Sequence, residues 1–305
     1  MNSRLPLLIV TGLASEARIV HRAEQWTRLS IPKDALAKED EHQVDPKGRP
    51  TFGVEALAHS SEKRIRFAAA KSSTAKKTDD STFVETAIVT RLDNVILWSD
   101  GSPDRLRHML RRLAPAYRAV VSFGIAGGLD VVLSPGDAVL ARGIIAGTTR
   151  WVAHPGLTQD WVQRLIAGGQ NVVVAEIVGV DVPVLTAAAK AALRAATDAA
   201  AVDMESHVAA EFAAANGIPF AALRIVCDSA THSLPPFVCD ALGANGVLGW
   251  RRVLGMLMRR PLQILSLPRL AWDTAAAFTG LRRCRALLGP DLGNPGLAQP
   301  FSDVS

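Results

Sequence analysis

Five short stretches hold the residues of this chain that could do chemistry, and each stands at the end of an apolar run. Glu16 follows Leu5–Leu13, the loop Ser99–Ser102 follows Val95–Trp98, and Ile125–Gly128 ends the run that begins at Ala119. Met204 and Glu205 close the short run from Ala201, and Cys227 and Asp228 close the run from Phe220. In α/β folds ligands bind at the carboxyl ends of strands, so a site is expected at these positions. Three of the residues are carboxylates. An acid at the buried end of a strand costs free energy unless it is paired, so it is either partnered or functional. A plainer reading also holds for Glu16 and Glu205: each could be a first-turn acid stabilised by a helix dipole.

The elements that would position these residues alternate. Leu5–Leu13 reads as a strand, and Ser15 as the cap of a short helix, Glu16–Arg22. After the strand Val95–Trp98, Pro103 suits the first position of an amphipathic helix, Asp104–Leu113. Ala119–Ile125 is a third strand and ends in Ala-Gly-Gly. The turn Ser134–Asp137 leads into the strand Ala138–Ile145. Val172–Val180 and Ala201–Met204 read as strands, Thr186–Ala196 and Glu205–Ala215 as helices, and Phe220–Cys227 as the last strand. Strands alternating with helices predict an α/β layered fold around a mixed or largely parallel sheet.

Composition narrows the class. The chain has 305 residues, of which 49% are hydrophobic and 21% charged, which excludes a wholly disordered chain and a coiled coil. Three Cys, with no CxxC and no Cys/His cluster, exclude a disulfide scaffold and give no reason to expect a metal. Cys239 and Cys284 read as inert thiols. No apolar run reaches the ~18 uncharged residues of a membrane-spanning helix. Arg4 and Leu5–Ala14 imitate a short secretory signal, yet Glu16 follows at once; the run reads as a buried strand of a cytoplasmic protein.

Charge is uneven. The net charge is +5, and seven of the eight Lys lie between Lys33 and Lys77, the eighth being Lys190. Residues 24–94 therefore read as a polar insertion without a catalytic role, with a linker-like stretch at 71–82, inside a catalytic domain spanning 1–240. Residues 241–290 form a basic helical tail and 291–305 a flexible end. Between 246 and 290 stand eight Arg and one acid, Asp273, and Val247, Trp250, Leu254, Leu257 and Met258 recur at helical spacing. Two readings follow: an amphipathic element on an anionic membrane surface, or a helix packed on the core with solvated Arg. Nucleic acid is not an expected partner, because no recognition motif is present and the basic residues are not interleaved with stacking aromatics.

The segments TGLASEA (11–17), VSFGIAGGLD (121–130), LSPGDAVLA (133–141) and AVDMESHVAAEFAAANGIPFAALRIVCDSA (201–230) resemble the purine/uridine phosphorylase superfamily, which includes the methylthioadenosine/adenosylhomocysteine nucleosidases. VDMESHVAAE, ATHSLPP (230–236) and the Arg-rich stretch 250–283 further resemble the hopanoid-associated phosphorylases, which act on adenosylhopane, a nucleoside joined to a triterpenoid lipid. The resemblance implies a three-layer α/β/α fold with a central mixed sheet and cleavage of an N-glycosidic bond without a cofactor.

It also implies roles, position by position. Asp228 would protonate purine N7, which requires a proton retained by burial or by a neighbouring acid. Glu205 would accept hydrogen bonds from the ribose hydroxyls and favour an oxocarbenium-like transition state. Glu16 would orient attacking water as a base. Met204 would form the floor under the ribose. Ile125, Ala126, Gly127 and Cys227 would line the pocket, and Arg224 would position Asp228 or meet an anion. Ser99, Gly101 and Ser102 are candidates for holding phosphate as a co-substrate at a helix start. The name of the hopanoid family favours phosphate, the presence of Glu16 favours water, and no Arg flanks the GIAGG turn. His207 reads as a local packing residue and His232 as a candidate lid residue.

The expected activity is release of adenine from an adenosylated hopanoid, giving ribosylhopane or phosphoribosylhopane, by a homo-oligomer peripheral to the inner membrane. One rival is a soluble methylthioadenosine/adenosylhomocysteine nucleosidase. A rival of another class is a non-catalytic membrane-associated binding protein on the same fold.

Overall fold

In a computed structural model, residues 5–21, 27–32, 83–89, 94–113, 115–234, 267–289 and 292 are described. The readings that concern Arg4, the linker at 71–82, Pro235–Cys239, the apolar set Val247–Met258 and the end 293–305 lie outside them.

The sheet is built from apolar runs. The strands β1 (Leu7–Thr11), β4 (Val95–Trp98), β5 (Ala119–Gly128) and β10 (Phe220–Asp228) are parallel and buried, which is why they read as continuous hydrophobic stretches. Beyond β4, the backbones of β3 (Phe83–Val89) and β2 (Thr27–Pro32) add two antiparallel strands. Parts of the segment 24–94 therefore extend the sheet. On the other side of β10, β6 (Ala138–Ala146) is antiparallel to it and parallel to β8 (Val172–Gly179), and β8 is followed by β9 (Ala201–Asp203). β9 pairs with the end of β5, Gly127 opposite Val202 and Gly128 opposite Ala201. Because β5 also pairs with β10, this half of the sheet closes on itself. The hairpin partner β7 (Thr149–Val152) extends β6.

Strand alternation divides the core into two layers. Leu8, Val10, Val120 and Ala222 face α2 (Pro103–Arg111) and α5 (Ser206–Ala215), meeting Leu106, Met109, Val208 and Ala213. Leu7, Ile9, Val121 and Leu223 face α1 (Ala14–His21), α3 (Pro155–Ala167) and α6 (Leu267–Leu288), meeting Ala17, Trp161 and Leu281. The result is the expected α/β/α arrangement. Helix α4 (Ala187–Thr197) starts at Thr186, whose hydroxyl accepts the Ala189 amide at 3.1 Å, and ends at Asp198 in the left-handed region.

Within the tail, α6 packs on the core. Ala277, Leu281, Cys284 and Leu288 are buried, Arg285 Nε donates to the Val20 carbonyl at 2.7 Å, and Arg283 donates to the Gly168 carbonyl at 2.7 Å. Burial in this apolar setting pushes the Cys284 thiol up to about 12.

Candidate active site

Strand β5 is the ruler of the site. Its residues face, in order, the groups that matter: Ser122 meets Arg224, Gly124 lies under Arg224 and Glu16, the Ile125 amide holds Glu16, and Gly127 lies against Asp228. A Cβ on Gly124 would stand 2.5 Å from Arg224 Nη1 and 2.8 Å from Glu16 Oε2, so only glycine admits both side chains here.

Glu16 sits in the first turn of α1 and is 1% exposed. Its Oε2 accepts the amides of Gly12 at 2.7 Å and Leu13 at 2.9 Å, at the start of its own helix. Its Oε1 leaves the helix and accepts the Ile125 amide at 2.9 Å. The cap reading of this acid is thus half of the picture. Burial raises its pKa against the opposing pull of Arg224 and the three amides.

Glu205 occupies the N-cap position of α5, but its side chain caps nothing. The Ser99 hydroxyl donates to its Oε1 at 3.0 Å, and Arg224 Nη2 stands 3.6 Å from its Oε2. Burial pushes Glu205 up to about 7, with Arg224 opposing and the carboxylates of Asp203 and Glu16 adding to the rise.

Arg224, fully buried in β10, is the hub. It pairs with Asp203, its Nε donates to Ser206 Oγ at 3.1 Å, and Nη2 donates to Ser122 Oγ at 2.5 Å. Asp203 in turn accepts the Ser206 amide at 3.0 Å and hydroxyl at 2.6 Å. The guanidinium therefore serves Asp203 and Glu205, not Asp228. Sequence reasoning passed over Asp203, although it stands directly before the Met204-Glu205 pair.

Asp228 is held differently. It is buried at the end of β10, opposite Gly127, past a register shift after Val226. Its Oδ2 pairs with the ammonium of Lys190, from α4, so of the two settings expected, burial or a neighbouring acid, the structure shows burial, and the direct charged neighbour is a cation. The Cys227 thiol lies 3.0 Å from Oδ1, and burial with the adjacent Asp228 raises that thiol's pKa. Lys190 went unread because a lone lysine in an Ala-rich helix looks like a solvated charge.

The other predicted residues divide. Ser99 is fully buried and engages Glu205, and its Oγ also accepts the Gly101 amide at 3.1 Å. Ser102 is the N-cap of α2, accepting the Arg105 amide at 3.3 Å. The Ser99 and Ser102 hydroxyls and the Gly101 amide are engaged within the protein. Ile125 and Met204 are half-buried beside the acids, whereas the Ala126 side chain packs into the core. His207 contacts Asp181 and Arg107 at the surface side of α5, and His232 lends its ring to Ser229 and its carbonyl to Lys190. Among the described residues no cluster of His, Cys, Asp and Glu could hold a metal.

The fold is similar to that of known proteins. No curated protein matches the chain in sequence. Among solved structures, the futalosine hydrolase of Helicobacter pylori is similar with a TM-score of 0.57 at 11% identity, over 96% of this chain and 100% of that one. The methylthioadenosine/S-adenosylhomocysteine nucleosidase of the same organism, solved with 5'-methylthioadenosine in its active site, gives 0.54 at 13% identity over 84% and 99%. The corresponding nucleosidase of Colwellia psychrerythraea, solved with adenine, gives 0.53 at 17% identity over 83% and 95%. Residues 107–240, which include Gly124, Arg224, Glu205 and Asp228, match the family model of the phosphorylase superfamily. That match spans 134 of the 305 residues, and the fold around it is similar to that of these solved structures.

Proposed function

We propose that the chain cleaves the N-glycosidic bond of an adenine nucleoside, with water as the nucleophile. The observation that carries this reading is the set of three buried acids along β5: Glu16 and Glu205 share the field of one arginine, and Asp228 stands at the strand's end. Glu205, beside Ser99 and Arg224, suits a group that accepts ribose hydroxyls and, once ionised, meets the positive charge developing on the sugar. Glu16, anchored by three amides, suits a base that orients water. Asp228 meets the departing purine. Met204 lies beneath the sugar. The inward-facing partners of Ser99, Gly101 and Ser102 support water over phosphate.

The finer assignment is adenosylhopane, carried by the likeness of 202–211, 230–236 and 250–283 to the hopanoid-associated enzymes, with ribosylhopane as product. A second substrate, a small thioether nucleoside such as methylthioadenosine, is favoured by one observation: α6 buries Ala277, Leu281, Cys284 and Leu288 in the core and leaves Trp272 as its large exposed apolar residue, so that part of the tail has less to offer a membrane. Among the described residues no helix is long and apolar enough to cross a membrane. The deciding experiment follows adenine release from adenosylhopane in vesicles and from methylthioadenosine, each with and without phosphate. Phosphate-independent release supports hydrolysis, and phosphate dependence would restore the phosphorylase reading with phosphoribosylhopane as product. Asp228→Ala separates enzyme from scaffold: adenine release should collapse by at least ~100-fold. Release unchanged in that variant, or absent in the wild type with both substrates, sinks the proposal.

A further inference from the structure

We propose that Lys190 is the positioning residue of the leaving-group side, and that the proton taken by the departing purine originates on its ammonium and passes through Asp228. This rests on the N-glycosidic reading above.

Lys190 is the single buried residue of α4, fully shielded in a helix whose Ala and Leu side chains are otherwise at least partly exposed. That inverts the ordinary pattern, and burying an ammonium is costly unless its donors are satisfied. They are: Nζ donates to Asp228 Oδ2, to the Ser229 carbonyl at 2.8 Å and to the His232 carbonyl at 3.1 Å, using all three hydrogens. The lysine thus fixes both the carboxylate and the loop that follows it. On the other oxygen, Oδ1 accepts from the Cys227 thiol at 3.0 Å.

Asp228 is thus paired with a group that carries three hydrogens. A purine leaving as a neutral base needs one. The adjacent source is Nζ. In the step that follows, the C1'–N9 bond breaks and its electron pair passes to the purine. N7 takes a proton from Asp228 as Asp228 takes one from Lys190. Water oxygen bonds to C1', and the proton it loses goes to Glu16. Lys190, left as a neutral amine, is reprotonated from solvent while Glu16 gives its proton up, so the sum is nucleoside plus water to base plus sugar.

The test compares the nucleoside cleaved in the assay above, methylthioadenosine or adenosylhopane in vesicles, with 4-nitrophenyl riboside, whose nitrophenolate departs without a proton. Lys190→Met should lower kcat for adenine release about 100-fold or more, the usual scale of proton transfer to a leaving group. Nitrophenolate release should fall less than threefold. Lys190→Arg discriminates further, and it carries the test alone if the Met variant does not fold. Arginine keeps the charge and the donors but does not give up a proton near neutral pH. Adenine release should therefore stay low in Lys190→Arg while nitrophenolate release persists. Recovery of adenine release by arginine would overturn the proton route, and an equal fall with both substrates would reduce Lys190 to a structural strut. A wild-type protein that releases adenine from neither methylthioadenosine nor adenosylhopane would defeat the N-glycosidic reading itself, and this proposal with it.

Discussion

Replacing Glu205 with Gln should make the protein more stable at pH 8 while disabling it. The carboxyl is 6% exposed and burial pushes it up to about 7 from an ordinary 4.5. Because the folded pKa is raised, the native state holds a proton between about pH 4.5 and 7 that the unfolded chain has released. Folding stability therefore falls as pH rises through that window. A rise of about 2.5 units corresponds to about 3 kcal/mol at full ionisation. Glutamine keeps the shape, and its Oε1 can still accept from Ser99, but it carries no charge to desolvate. The difference in stability between Glu205→Gln and wild type should be flat below about pH 4.5, grow to pH 7 and level off above it. At ~2 °C per kcal/mol for a chain of this size, the gain in Tm at pH 8 is roughly 6 °C. Thermal unfolding at half-unit steps from pH 4 to 8.5 reads it directly. A pH-independent difference, or a variant less stable than wild type at pH 8, would refute the claim that this acid is held charged at the expense of the fold.

Other outcomes follow from the same geometry. Arg224→Met leaves Asp203 and Glu205 buried without their cation and should cost about 3–5 kcal/mol, read by urea unfolding; a loss below about 1 kcal/mol would show that the guanidinium is not the hub. Gly124→Ala puts a methyl carbon 2.5 Å from Arg224 Nη1, so adenine release should drop at least tenfold; unchanged activity would mean that Arg224 and Glu16 can give way freely. Leu281→Ala, in the tail helix, should cost about 2–5 kcal/mol, since this side chain is wholly inside the core; a loss under about 0.5 kcal/mol in chemical denaturation would detach the helix from the domain.

The fold was readable where burial is continuous. β1, β4, β5 and β10 are apolar runs because both faces of a parallel strand are covered, and their residues announce it. The short hairpin strand β7 and helix α3 escaped notice. β7 is largely exposed and carries Arg150, and α3 opens with Pro155-Gly156, which reads as a turn although Pro at the first position suits a helix. Two strands within 24–94 were hidden by a composition dominated by charged neighbours.

The sequence by itself determined which acids to consider, because Glu16, Glu205 and Asp228 each stand just past a buried run, and it left the helix cap as the plain alternative for Glu16 and Glu205. It could not say who neutralises them. Arg224 was expected to position Asp228 or to meet an anion, and the fold turns it to Asp203 and Glu205; Lys190, 38 residues before Asp228, pairs with Asp228 instead. Pairing is set by which strands become neighbours and which helix covers their ends. Here the closure of β5 onto both β9 and β10 decides it, a long-range arrangement that no local spacing encodes.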